Sequence, residues 1–169
     1  SPVTLSLFVL SVWPRVVSFM FDRRGIAVVP LSFIGRTSLI FALGECGDTQ
    51  GAIAAAEEAL EMSGRHPWLL AFLAAIYDQI GDLPGAKSLH DEAIARAARE
   101  YVQPVVLAVT AAASGKLDDA FAYCDIAIDE RDPAVTTLFQ PGFPFARRIR
   151  AHPRFAYLGT PLAAQTPLA

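Results

Sequence analysis

Apolar residues recur at three- and four-residue intervals along most of the chain, the pattern of helices that each bury one face. A helix over residues 67–80 is predicted from four side chains at this spacing: Leu69, Leu73, Ile76 and Ile80. A second helix, over about residues 83–99, is predicted from four inward-facing side chains: Ala86, Leu89, Ala93 and Ile94. The two helices are joined at Gly81-Asp82, so the pattern predicts a tightly connected helix pair.

This helix pair is one copy of a unit that recurs every 34 residues. Gly47, Gly81 and Gly115 mark the turn of each copy, a Leu lies eight residues before each, and an Ala lies five and twelve residues after each. Self-similarity at this period is typical of stacked two-helix repeats. The six predicted helices span about 35–46 and 49–62, 67–80 and 83–99, and 101–114 and 117–130.

Each recurring residue type has a physical role in such a unit. A Gly accepts the left-handed conformation that ends many helices, and an Asp directly after it suits the first position of the next helix. A small Ala allows two helix backbones to approach to about 8–9 Å. The repeated residues therefore explain the packing of the helices, and they name no reaction.

The spacing of these residues resembles the tetratricopeptide repeat, a family of helical scaffolds. The resemblance rests on Leu39, Gly47, Ala52 and Ala59, on Leu73, Tyr77, Gly81, Ala86 and Ala93, and on Leu107, Gly115, Ala120 and Ala127. The chain departs from the family where an early aromatic is expected, since Arg36, Leu70 and Pro104 stand there. The resemblance implies an all-α, right-handed α-solenoid of antiparallel helix pairs, with units at 33–66, 67–100 and 101–132.

The same resemblance implies a concave groove, lined by the first helix of each pair, that binds a peptide or a helix. By alignment its walls carry Phe41, Glu45, Trp68, Ala71, Ala75, Asp78, Gln79, Val102, Val105 and Val109. This wall is mostly apolar and lacks the Lys and Asn that clamp a peptide carboxylate in some relatives. A hydrophobic or amphipathic helix is the expected ligand, with Phe41 and Trp68 as anchors. The alternative is a narrow groove that its own Val and Ala side chains fill.

Residues 1–32 are apolar and allow two interpretations, a membrane span or a degenerate repeat unit. Residues 2–21 have the length of a membrane span, but Pro14-Arg15 at their centre is costly in lipid. Counting back by 34 aligns Leu5 with Leu39 and Gly25 with Ala59, which favours a degenerate N-terminal repeat. Its apolar face would then make the chain an oligomerisation domain, the alternative to partner binding. Because the chain begins with Ser1, we expect it to be a piece of a longer protein.

The period stops at Pro133, and residues 133–158 are predicted to form a C-terminal cap, followed by a tail at 159–169. Repeat arrays need such a cap over their last apolar face. The cap resembles the C-terminal end of tetratricopeptide arrays in bacterial signalling proteins through residues 130–133, 143–145 and 150–155. That likeness implies attachment to DNA-binding, kinase or cyclase modules. We expect the four cap arginines to be solvated: Arg147, Arg148, Arg150 and Arg154.

Composition narrows the classes of function. Hydrophobic residues make up 53% of the chain, which argues against disorder. A net charge of −3 provides no general attraction to nucleic acid. The scattered His residues and the Cys46 and Cys124 thiols predict no metal, no cofactor and no enzyme, and free thiols indicate a reducing, cytoplasmic compartment. A protein or peptide is the predicted partner, with self-association as the alternative and membrane attachment disfavoured.

Overall fold

In the computed structural model, residues 33–140 and 144–158 are described, and these residues form helices and turns without any strand. The helices are α1 (Phe33–Glu45), α2 (Thr49–Met62), α3 (Pro67–Ile80), α4 (Leu83–Ala97), α5 (Pro104–Ala113), α6 (Leu117–Asp129), α7 (Val135–Phe139) and α8 (Arg147–Ala151). A 3₁₀ turn, Pro144–Ala146, precedes α8. The interpretations of residues 1–32 and of the tail at 159–169 lie outside the described residues.

The 34-residue period corresponds to one hydrogen-bonded turn that occurs three times. Gly81 is left-handed, with φ 79°, and donates its N–H to the Asp78 carbonyl at 3.2 Å. The Asp82 N–H reaches back to the Tyr77 carbonyl at 2.8 Å, completing a Schellman motif. Gly47 and Gly115 have the same conformation, with φ 78° and 85°. The predicted helix stops are confirmed.

The next helix begins with a capping aspartate in two of the three copies. The Asp82 side chain accepts the Gly85 N–H at 3.0 Å, and the Asp48 side chain accepts the Gly51 N–H at 2.9 Å. Each capping bond satisfies a helix N–H that has no partner within its own helix. A Cβ on Gly51 or Gly85 would collide with the capping carboxylate. Lys116 begins α6 without a side-chain cap.

The small residues of the repeat lie at the helix crossings, as predicted. They are fully buried, each with 0% exposure, in all three pairs: Ala52, Ala59, Ala86, Ala93, Ala120 and Ala127. Two larger residues are not where the pattern puts them, since Ile80 is 46% exposed and Ile94 is 38% exposed. Ile80 is the last residue of α3, and Ile94 points about 100° away from Ala93 around α4. The prediction that Ile94 faces inwards is wrong, and the predicted apolar face of α3 is not covered at Ile80.

The chain divides into two compact units, Ser1–Ala59 and Leu60–Ala169, with the boundary inside α2. In the first unit, α1 and α2 are linked by an ion pair between Arg36 and Glu58 at 3.3 Å. In the second unit, α5 packs against α3, α4 and α6. Every residue of α5 is buried, so α5 is the central helix of this unit.

The helix ends differ from the sequence prediction around α5. The helix α4 ends at Ala97 rather than at Arg99, and α5 begins at Pro104 rather than at Tyr101. Proline fits the first turn of a helix, because the N–H it lacks has no helical acceptor there. Val102 therefore lies before α5, on the connecting segment.

The C-terminal cap consists of α7, the 3₁₀ turn, α8 and a helical stretch over residues 155–158. Its arginines were expected to be solvated: Arg147, Arg148 and Arg154 are exposed, whereas Arg150 is partly buried and donates to the Leu138 carbonyl at 3.4 Å. Two of the exposed arginines also contact the repeat helices. Arg148 pairs with Asp78 at 2.5 Å. Arg154 lies 4.8 Å over the Phe121 ring and pairs with Asp125 at 3.6 Å. Acidic and aromatic groups of α3 and α6 thus anchor the cap.

We expect Ala86→Leu to lower the free energy of unfolding by about 1–3 kcal/mol, because three extra carbon atoms must fit at a filled helix crossing. Urea denaturation followed by circular dichroism measures this. Ala95→Leu makes the same chemical change on an exposed face of the same helix and serves as the control. Equal effects of the two substitutions would contradict close packing at Ala86.

Candidate functional site

The best-defined surface of the second unit is the side of α3 and α5 that carries Trp68, Phe72, Asp78 and Ala112, here called the first-helix face. Near its α3 N-terminal end, the Trp68 indole N–H donates to the Gln103 side-chain oxygen at 2.5 Å. The Gln103 amide in turn reaches the Asp132 carboxylate at 3.5 Å. Trp68 is only partly buried. Its ring is thus held in one orientation while part of it remains exposed.

Aromatic rings follow one another along this face. The Trp68 and Phe72 ring centroids are 5.7 Å apart, with the rings tilted by 47°. The Phe72 and Phe145 centroids are 4.4 Å apart, and these two rings are stacked with 23° between their planes. Phe72 belongs to α3, and Phe145 belongs to the 3₁₀ turn of the cap. The cap therefore places an aromatic side chain directly on the first-helix face.

The other end of the face carries a charge pair. The Asp78 side chain is 9% exposed and contacts the Arg148 guanidinium of α8 at 2.5 Å, while Arg148 is 43% exposed. A small cleft opens beside this pair, lined by Ala75, Gln79, Ala112, Ala113, Phe145 and Arg147 together with the pair itself. The Asp78 carboxylate is thus turned towards the cap, which supplies a cation to it.

The predicted groove residues occupy very different environments. Five of them are buried in the second unit, with exposures between 0% and 6%: Ala71, Ala75, Val102, Val105 and Val109. Trp68 and Asp78 are intermediate, and Gln79 is exposed. Phe41 lies on α1 of the first unit and is partly buried. Glu45 is the last residue of α1, and its side chain is not among those that the structure describes. Ligand binding by this set stays a prediction.

Sequence reasoning missed three residues that shape this face: Phe72, Gln103 and Arg148. Phe72 lies at a helix position that the repeat alignment did not assign to the wall. Gln103 precedes α5 and has no periodic counterpart in the other units. The acidic Asp78 in an apolar wall was the one available signal, because a largely buried carboxylate requires a cation or hydrogen-bond donors.

The run His90-Asp91-Glu92 forms no common site, because adjacent helix residues point in different directions. The three side chains contact three different residues: His90 reaches Thr110, Asp91 faces Lys116 at 3.8 Å, and Glu92 pairs with Arg65 at 2.6 Å. In the described part of the chain, no cluster of three or more His, Cys, Asp or Glu residues is placed to hold a metal.

His90 is a buried neutral base rather than a reactive one. It is 2% exposed, and its Nδ1 lies 3.0 Å from the Thr110 hydroxyl. That hydroxyl donates its one hydrogen to the Leu107 carbonyl, so Nδ1–H is the donor to Thr110. Burial lowers the His90 pKa below its ordinary value of 6.5, and the charge of Lys116 lowers it further. His90 therefore helps to fasten α4 to α5.

The two cysteines lie in different environments. Cys46 and Cys124 are both free thiols, the first exposed and the second buried. Burial raises the pKa of Cys124 to about 12, so this thiol stays protonated and unreactive near neutral pH. None of the helices in the described ranges is long and apolar enough to cross a membrane.

We expect folding stability to fall as the pH drops below about 6.5. His90 and His66 both have a lowered pKa in the folded chain, so the unfolded chain binds more protons in this range. One proton contributes at most about 1.4 kcal/mol per pH unit. Urea unfolding between pH 7.5 and 5.5 measures the slope.

The matched variant is His90→Asn, which keeps an N–H donor towards Thr110 but does not titrate. It should reduce the pH slope and leave the His66 contribution in place. An unchanged slope in His90→Asn would show that His90 is not kept neutral by its surroundings.

Comparison with known protein families agrees with this architecture. Residues 45–106, from the end of α1 into α5, match a family model described as tetratricopeptide repeat. No curated protein and no solved structure matches the chain. The resemblance inferred from the 34-residue period is confirmed over the matched residues, as is the all-α fold of paired helices. Such repeats are non-catalytic scaffolds that generally mediate protein–protein interaction.

Proposed function

We propose that this tetratricopeptide-repeat chain is a non-catalytic interaction module that holds a peptide or helix of another protein on its first-helix face. The observation that carries this proposal is the orientation of Trp68. Its indole N–H is bonded to Gln103, while part of its ring is exposed. Large aromatic side chains held in one rotamer dominate many interfaces, because little side-chain entropy is lost when they bind.

The chemistry of the face supports an apolar or amphipathic ligand. Around Trp68 and Phe72 the wall consists of buried Ala and Val side chains, and Asp78 is its one acidic residue in the second unit. No Lys belongs to the predicted wall, so a carboxylate clamp is not part of the proposal. A helix that inserts its hydrophobic side chains along α3 suits such a surface.

Phe41 is a second proposed anchor, on α1 of the first unit. It is partly buried, so a portion of its ring is accessible. Glu45, one helical turn further along α1, belongs to the same proposed contact. This contact is proposed for the first unit alone and is independent of the contact at Trp68.

We place the module in a larger bacterial signalling or transcription-regulatory protein of the cytoplasm. The likeness of residues 118–158 to the ends of repeat arrays in such proteins supports this context, and the two free thiols agree with a reducing compartment. No catalysis and no cofactor belong to the proposal, because the tetratricopeptide repeat is a scaffold.

The test uses peptides selected from a random phage-displayed library on the wild-type chain. Trp68→Ala should weaken their binding by at least about tenfold, the loss of a moderate interface hot spot. Binding is measured by fluorescence anisotropy, and circular dichroism checks the fold. Tyr157→Ala removes an aromatic ring that is 74% exposed in the cap, and it should bind as the wild-type chain does.

Full binding by the Trp68→Ala chain would contradict the proposed face. Equal losses in Trp68→Ala and Tyr157→Ala would also contradict it, because the effect would then not be specific to α3. A library that yields no binding peptide would reject peptide recognition by the module.

A further inference from the structure

The first-helix face already has an occupant, the cap segment Pro144–Ala151. Three apolar side chains of this segment are buried against the second unit: Phe145 at 6% exposure, and Ala146 and Ile149 at 0%. The 3₁₀ turn packs on both α3 and α5, and α8 packs on α5, α6 and α7. The sequence left open a groove filled only by the Val and Ala side chains of its own wall. In the structure, a separate segment of the chain also lies on that wall.

The occupant makes two contacts of different chemistry at a fixed spacing. Phe145 stacks on Phe72 at 4.4 Å, and Arg148, three residues later, pairs with Asp78 at 2.5 Å. Both receiving residues lie on α3, with Asp78 nearer its C-terminal end. The segment therefore runs in the same direction as α3, with its aromatic residue first and its arginine second.

Asp78 makes this arrangement selective. Its side chain is only 9% exposed, so a ligand that covered it without supplying a cation would leave a buried charge unpaired. Such an unpaired charge costs far more than a solvated one. A guanidinium also matches the geometry of a carboxylate better than an ammonium does. The face thus favours a ligand with an arginine at the position that Arg148 occupies.

We propose that the protein partner carries an aromatic residue followed three residues later by an arginine, and that it binds by displacing Pro144–Ala151. This inference rests on the proposed function and specifies its ligand. The partner's aromatic ring takes the place of Phe145 on Phe72, and its arginine takes the place of Arg148 on Asp78. In the absence of the partner, the cap segment occupies the site.

A partner that displaces a segment of the same chain must make contacts that the segment does not make. A segment of the same chain can compete at an effective concentration on the order of 1 mM. A ligand with the same two contacts would lose against it at ordinary concentrations. The exposed part of Trp68 provides a third contact, one helical turn before Phe72. A partner reaching from Trp68 to Asp78 covers about 15 Å of helix.

The test measures binding of a fluorescein-labelled peptide with the sequence of Pro144–Ala151 to three full-length chains. In Arg148→Glu, the cap segment is repelled by Asp78 and vacates the face, so this chain should bind the peptide at least about tenfold more tightly than wild type. Lys87→Glu makes the same charge change at an exposed position of α4, outside the residues that line the cleft, and should behave as wild type.

A charge swap tests the pairing without relying on one variant. The Asp78→Arg chain should bind a peptide carrying glutamate at the Arg148 position and reject the native peptide, while Arg148→Glu should show the opposite preference. Circular dichroism confirms that each chain is folded. Equal binding by Lys87→Glu and Arg148→Glu, or no preference between the two peptides, would overturn the inference.

The outcome also separates this inference from the proposed function. Library peptides that bind through Trp68 but lack the aromatic–arginine pair, and that leave the cap segment in place, would overturn the inference and keep the function. Library peptides that carry the pair and lose binding in Asp78→Arg would support both.

Discussion

The close approach of paired helices over alanine is the constraint on which the rest of this structure depends. Ala86 and Ala93 have no exposed surface, and the equivalent alanines of the other two pairs are buried to the same degree. Small side chains let α4 lie against α3, and α6 against α5. The left-handed Gly of each turn then fixes the connection. Together they determine which side of α3 and α5 is left for contacts outside the pairs.

That remaining side is the first-helix face, the surface proposed above for ligand binding. Its aromatic row begins at Trp68 and continues through Phe72 to a ring of the cap. Its one acidic group, Asp78, is largely buried and is matched by Arg148. A terminal cap is required in any repeat array, because the last apolar face has no neighbour. Here part of the cap also covers the first-helix face.

Local features of this molecule could be predicted from the sequence, and long-range ones could not. The turn at Gly81 and the capping by Asp82 depend on residues within one turn of each other, so the sequence pattern was sufficient. The stack of Phe145 on Phe72 joins residues more than 70 positions apart and follows no period. The exposure of Ile80 and Ile94 was not predicted from the sequence. A helical pattern identifies the apolar face of a helix but does not show how far the neighbouring helix covers it.

The central claim is that the cap segment is docked on α3 through the Asp78–Arg148 pair. A double-mutant cycle with Asp78→Ala and Arg148→Ala, measured by urea denaturation at low salt, tests it most directly. Because the pair is partly shielded from water, we expect a coupling energy of about 1 kcal/mol that decreases as salt is added. Additive effects of the two substitutions, within about 0.3 kcal/mol, would contradict docking of the segment on this face.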